Sequence, residues 1–198
     1  MKGKANLRSL VVSAVMGGVG TVLMAIEFGL PFLPPFLKVD FSELPVLLTS
    51  FACGPVYGVL VALIKNVLHL FMGTSMGVGE LANFLLGAVF AAFAGIIYKK
   101  KKTRKGALIA ALSASVIMAA ASIAINYFIA YPLYGVALGF TNEAILEMYR
   151  AIVPSIKSLP QALLIFNVPL TFIKELIVTG FTFAIYKPLS PILKGKVK

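Results

Sequence analysis

Charge is scarce in this sequence, and most of it has one sign. Only 13% of its 198 residues are charged, 18 of them basic and 7 acidic. A soluble domain carries roughly a quarter charged residues. Mean hydropathy is +0.97 and 60% of residues are hydrophobic, so the chain reads as an integral membrane protein. A single cysteine, Cys53, excludes an intrachain disulfide and any Cys-x-x-Cys metal or redox motif. A single histidine, His69, argues against a multi-histidine metal site. No Gly-x-x-x-x-Gly-Lys-Ser/Thr run exists, so ATP is not bound by that route. There is no His-Glu-x-x-His, no Ser/His/Asp set and no pair of intramembrane aspartates, which leaves an enzyme without a catalytic constellation. Residues 77–79 (Gly-Val-Gly) are a bare turn signal. The apolar stretch after Arg8 runs to Leu30, too long for the core of a cleaved signal peptide.

What is present is a series of apolar segments around one stiff connection. Phe32-Leu-Pro-Pro-Phe-Leu-Lys-Val-Asp-Phe-Ser-Glu-Leu-Pro45 joins the first two. Pro31, Pro34 and Pro35 forbid a regular helix there. The stretch is nevertheless too apolar for a wet loop. In a membrane protein such a segment must lie over protein or line a cavity, because bare backbone in lipid leaves polar groups unpaired. It reads as the lid of a ligand pocket.

Segment one covers residues 6–30. Segment two, 41–51, is short for a span of about 20 residues and is broken at Cys53-Gly-Pro55. Segment three covers 55–72, and segment four covers 80–98 after a glycine-rich turn. Segment five covers 106–130. A connection opened by Tyr131-Pro132 follows, with a short helix expected at 142–150. Segment six covers 160–186. The expected fold is one all-α membrane domain over residues 1–198, with six transmembrane helices in one bundle. Alternating the segments puts both termini on the side that receives Lys2, Lys4, Arg8, the six bases of residues 99–105, Lys187, Lys194, Lys196 and Lys198. The other side receives Lys38, Arg150 and Lys157. That bias places both termini in the cytoplasm. It also turns the basic run at 99–105 into an anchor at anionic membrane lipid rather than a nucleic-acid site.

Polar groups inside spans are expensive and need a reason. Lys65, Asn66 and His69 share about one turn of segment three; Lys65 is expected to pair with Glu43 or Glu80 or to touch a ligand. Asn83 follows Glu80 by one turn. Asn126 lies deep in segment five beside Tyr127 and Phe128. Thr171, Lys174 and Glu175 lie in segment six. Ser13, Gly17 and Thr21 form one row of small residues at fourfold spacing, and Ala14 and Gly18 form the next. Such rows admit close helix approach, within the bundle or from a separate subunit.

The lid sequence, residues 51–58, Leu63-Ile-Lys-Asn-Val-Leu-His69, Gly77-Val-Gly-Glu-Leu-Ala-Asn-Phe84, Asn126-Tyr-Phe128, Pro132-Leu-Tyr134 and Ile173-Lys174 together resemble the substrate-binding S components of energy-coupling-factor (ECF) vitamin transporters, and among them the riboflavin-binding members. The resemblance spans all six segments. It implies an outward-facing pocket roofed by the first loop, at Pro35, Phe36 and Leu37, and walled by helices four to six. It implies flavin-ring hydrogen bonds from Asn126 and Lys174. Thr171 stands where the family often has asparagine. The family docks its transmembrane coupling subunit, which works with two ATPase subunits, on an Ala-x-x-x-Ala motif of helix one; Ser13, Ala14, Gly17 and Gly18 are the candidates here. Riboflavin is then the transported ligand, with no cofactor and no metal, in the plasma membrane of a prokaryote.

The chemistry suits that ligand. Phe32, Pro35, Phe36 and Tyr127 can pack on the flat ring faces. Donors can meet the acceptor-rich pyrimidine edge, and Asp40, Glu80 and Asn83 can meet the ribityl hydroxyls. The rivals are an S component for another vitamin, such as thiamine, and a small membrane enzyme built on Lys65, His69 and Glu80.

Overall fold

The computed structural model describes residues 7–194, with side chains through Tyr186. Helix α1 spans Leu7–Ala25. A two-residue strand β1, Phe28–Gly29, pairs antiparallel with β2, Lys38–Val39. Then follow α2 (Glu43–Cys53), α3 (Pro55–His69), α4 (Val78–Lys100) and α5 (Arg104–Ile125). A π-helical turn at Asn126–Ala130 leads into α6, Tyr131–Leu138. After α7 (Asn142–Arg150), the short α8 (Leu159–Ala162) enters a second π-turn at Leu163–Asn167 and then α9, Val168–Lys194.

Among the described residues, four helical stretches are long and apolar enough to cross a membrane: Leu7–Ala25, Val78–Lys100, Arg104–Leu138 and Leu159–Tyr186. Helices α2 and α3 are shorter apolar rods. They meet at Gly54, whose φ of 112° is a conformation that L side chains rarely adopt, and Pro55 opens α3, where a missing N–H costs nothing.

Two segment ends differ from the sequence reading. The fifth stretch does not stop at residue 130; it runs on as helix to Leu138, where Gly139 in the left-handed region (φ 72°) ends it. Pro132 is tolerated because the π-turn before it resets the register, so the proline sits in the first turn of α6. The first stretch stops at Ala25, and residues 28–39 fold instead as a hairpin. Within it, Leu33 N–H donates to Leu30 O and Leu37 N–H to Pro34 O, both at 2.9 Å. Glu27 and Lys38 form an ion pair across its base. The cover is thus built from local turns that satisfy their own backbone.

One core layer lies under the hairpin, with Tyr131, Tyr149, Ile145 and Leu163 fully buried. A second lies at the other end, around Leu47, Phe90, Ala110 and Val178.

Candidate functional site

The site begins with Lys65. Its position on α3 turns it inward, and its side chain is fully buried. Nζ donates to Ser42 Oγ at 2.5 Å, Glu43 Oε1 at 2.6 Å and Asn83 Oδ1 at 2.8 Å. Of the partners open to it, Glu43 is the one taken. Glu80 is held separately, by His69 Nδ1 at 2.9 Å and by the Ser75 hydroxyl. A buried lysine satisfied by three acceptors is a fixed post. It orients Asn83, whose side chain reaches the cavity above.

Asp40 forms the second post. One carboxylate oxygen accepts from Ser42 N–H at 2.7 Å, and the other lies 3.4 Å from Lys174 Nζ. This pair ties the end of the hairpin to α9. Burial alone would raise the Asp40 pKa, but the Lys174 and Lys65 ammoniums and the Ser42 hydrogen bonds outweigh it and hold the carboxyl at about 2. A carboxyl depressed in this way contributes its full stabilisation above its ordinary value of 3.8, and loses it as the pH falls through about 2. Thermal unfolding in detergent is therefore expected to show no Asp40-linked loss until the pH drops below about 4. An Asp40→Asn variant should remove that limb of the profile.

Between these posts lies a cavity of about 430 Å³, lined by Pro35, Phe36, Asp40, Glu80, Asn83 and Tyr134 among others. A smaller hollow of about 130 Å³ shares Phe36, Lys38, Gly79, Asn83 and Tyr134 with it, and adds Leu37, Asn126, Asn167, Thr171 and Lys174. The fold therefore brings together Pro35, Phe36, Leu37, Asp40, Glu80, Asn83, Asn126, Thr171 and Lys174. Phe36 is the anchor of the cover. Its ring sits 6.0, 6.2 and 5.7 Å from those of Tyr131, Tyr134 and Tyr149. The Tyr131 and Tyr149 hydroxyls bond at 2.6 Å, and Tyr149 donates to Asn167 at 2.7 Å, so the cage is rigid.

Two aromatic residues expected at the ligand face elsewhere. Tyr127 is 38% exposed and stacks edge-on against Phe128, outside both hollows. Phe32 is 60% exposed at the tip of the hairpin. Asn167 and Tyr134 line the site without having been singled out. Asn167 carried the same signal as Asn126, an amide inside an apolar run, and both sit in π-turns, a feature frequent at functional sites.

The row of small residues on α1 also divides. Ser13 and Gly17 face the bundle: Ser13 is fully buried, and a Cβ at Gly17 would overlap Ile64 of α3. Of the two readings of this row, packing within the bundle accounts for the smallness of Ser13 and Gly17. Ala14 is exposed, and a Cβ at Gly18 would meet nothing within 4 Å.

A helical membrane-protein architecture with a mostly apolar, polar-rimmed hollow under a stapled hairpin defines a small-molecule-binding membrane protein. Comparison with known proteins narrows the class. Residues 8–190 match the family described as the ECF transporter, substrate-specific component. The riboflavin transporter RibU of Staphylococcus aureus is 33% identical over 199 residues, covering 98% of this chain and 99% of its own. The riboflavin transporter FmnP of Bacillus subtilis is 33% identical over 132 residues, 65% of this chain and 70% of its own. A solved structure described as the S component of a bacterial ECF transporter superposes with a TM-score of 0.72 at 34% identity, covering 94% of this chain and 97% of that one. The chain belongs to the substrate-specific components of ECF transporters. It is a transporter subunit and not an enzyme.

Proposed function

We propose that this protein is the riboflavin-binding, substrate-specificity subunit of an ECF transporter. It captures the vitamin outside the cell and releases it inward when joined to a transmembrane coupling subunit and two ATPase subunits. It is a single domain that crosses the plasma membrane of a prokaryote six times, with α2 and α3 as the short crossings and both termini in the cytoplasm. The basic residues at 99–105 support that orientation; Lys2 and Lys4, and the side chains of Lys187, Lys194, Lys196 and Lys198, lie outside the described residues.

The observation that carries the reading is the convergence of Asn126, Thr171 and Lys174 from two helices onto one small hollow beneath Phe36 and Leu37. Asn126 Nδ2 is engaged by Ser122 O at 2.7 Å, which fixes the amide plane. Among the described residues the Lys174 ammonium makes one long contact, with Asp40, which leaves it further donors. Carbonyls and ring nitrogens along one edge of a flavin require such donors. The larger hollow, with Asp40, Glu80 and Asn83, offers acceptors and an amide to a chain of hydroxyls. The side chains that make the floor are paired before the ligand arrives, so little ordering is left to binding.

The test is direct. Purified protein is expected to carry a yellow ligand that elutes as riboflavin, and added riboflavin should lose its fluorescence on binding. A colourless protein that ignores riboflavin and binds thiamine would overturn the assignment. Two variants probe the assembly and the lid. Gly18→Leu is expected to leave flavin binding intact and to impair joining with the coupling subunit, measured by co-purification. Gly17→Leu should instead damage folding, because Ile64 occupies that space. Phe36→Ala removes the ring held by three tyrosines, and should speed flavin release by about tenfold in stopped-flow fluorescence with the association rate little changed.

A further inference from the structure

A second cavity of about 430 Å³ opens at the other end of the bundle, where the ends of α2 and α4 and residues 182–186 of α9 meet the start of α5. Tyr98 lies on its wall, 18 residues along α4 from Glu80, or about 27 Å from the vitamin site. Its interior is aromatic and apolar. Phe51, Tyr98 and Phe183 line it, with Phe51 and Tyr98 ring to ring at 4.7 Å. Its mouth is cationic, with Lys102 and Arg104 both exposed.

Among the described residues these cations have no counter-ion. The chain's seven acidic residues are all placed elsewhere. Glu27, Asp40, Glu43 and Glu80 serve the hairpin and the vitamin site. Glu143 and Glu147 bind Arg150, and Glu175 lies about two turns up α9 from Thr182. Between Glu80 and Glu143 the sequence has no acid at all.

The inner wall carries a further sign of a missing occupant. Thr182 is 1% exposed and lines the cavity, and its hydroxyl has no hydrogen-bond partner among the described residues. A buried hydroxyl without a partner is costly and rare in folded proteins.

We propose that this cavity is a binding site for one anionic phospholipid. The phosphate sits at the mouth between Lys102 and Arg104, charge-matched where the protein supplies only cations. A glycerol ester oxygen accepts from the Thr182 hydroxyl. One acyl chain lies against Phe51 and Phe183. The basic run at residues 99–105 then gathers anionic lipid in general, and the cavity holds one molecule of it.

Native mass spectrometry of the full-length protein released from neutral detergent tests the proposal, with phosphatidylglycerol and phosphatidylcholine added in turn. The expected result is one phosphatidylglycerol retained per chain and no phosphatidylcholine. Retention should fall by about tenfold or more in the Lys102→Gln, Arg104→Gln double variant, which alters only exposed side chains. Thr182→Val should weaken it by several-fold while the protein's unfolding temperature in lipid-free detergent stays that of the wild type. Equal retention of the two lipids overturns the proposal, as does retention unchanged in both variants. A third arm adds millimolar inorganic phosphate alone. If phosphate displaces the lipid and stabilises the protein as well as phosphatidylglycerol does, the site is for a free anion and the lipid assignment fails.

Discussion

Replacing Lys65 with methionine is expected to destabilise the protein by about 3–5 kcal/mol, the scale for breaking a buried ion pair from one side. Lys65 and Glu43 are both fully buried, so Glu43 would be left as an uncompensated charge inside the protein. Ser42 would lose its Lys65 donor at the same time, and Asn83 would keep only the longer bond from Asn66 Nδ2 at 3.3 Å. Denaturant unfolding in detergent measures the loss. A double variant, Lys65→Met with Glu43→Leu, should recover much of it, because an apolar pair of similar volume needs no desolvation. Asn83 would still lack its shorter tether and be held by Asn66 alone, so flavin affinity should remain below wild type when stability returns. Full recovery of affinity would show that the Lys65–Asn83 contact has no part in shaping the pocket.

The second large effect is expected at Lys174. Lys174→Met should weaken riboflavin binding by about 1.5–3 kcal/mol, roughly tenfold to somewhat over a hundredfold in Kd. Its side chain is 11% exposed, reaches the smaller hollow and stands 3.4 Å from Asp40, so on the proposed function it has two jobs: donating to the ligand and tying the hairpin to α9. Asp40→Asn separates them. If the tie dominated, Asp40→Asn would match Lys174→Met and the double variant would be no worse. If donation to the flavin edge dominates, as the convergence with Asn126 and Thr171 supports, Asp40→Asn should cost clearly less than Lys174→Met. Unchanged affinity in Lys174→Met would remove the residue from the site.

Much of this arrangement is legible in the residues, and the exceptions have identifiable causes. The long apolar runs of α4 and α5 mark themselves, as does the proline-stiffened cover. Asn126 and Lys174 stand out because amides and ammoniums inside apolar helices need a purpose. Which of two phenylalanines in the cover turns inward is not periodic information: Phe36 rather than Phe32 does so because of turns at residues 30–37 and the β1–β2 pairing. A π-turn has no local signature, so the continuation of helix through Pro132 could not be read from spacing. Small residues on α1 permit close approach but do not say to what; the side chain of Ile64 decides it for Gly17. Asn167 was visible on the same criterion as Asn126, but its place at the start of a span hid it.

The pocket's design follows from these pieces. A floor of paired charges, Lys65 with Glu43 and Lys174 with Asp40, is set before any ligand enters. A short hairpin closes over it, fastened at one end by the Glu27–Lys38 pair and at the other by Phe36 in its tyrosine cage. On the outer side of the bundle from Ile64, α1 presents Ala14 and Gly18 on an open face.

A structure determined with riboflavin bound tests the central claim most directly. The pyrimidine edge of the flavin should lie within hydrogen-bonding distance of Asn126 and Lys174, with residues 32–40 closed above it and Phe36 still among its three tyrosines. A flavin bound away from Asn126 and Lys174, or beneath a cover swung off the cavity, would contradict it.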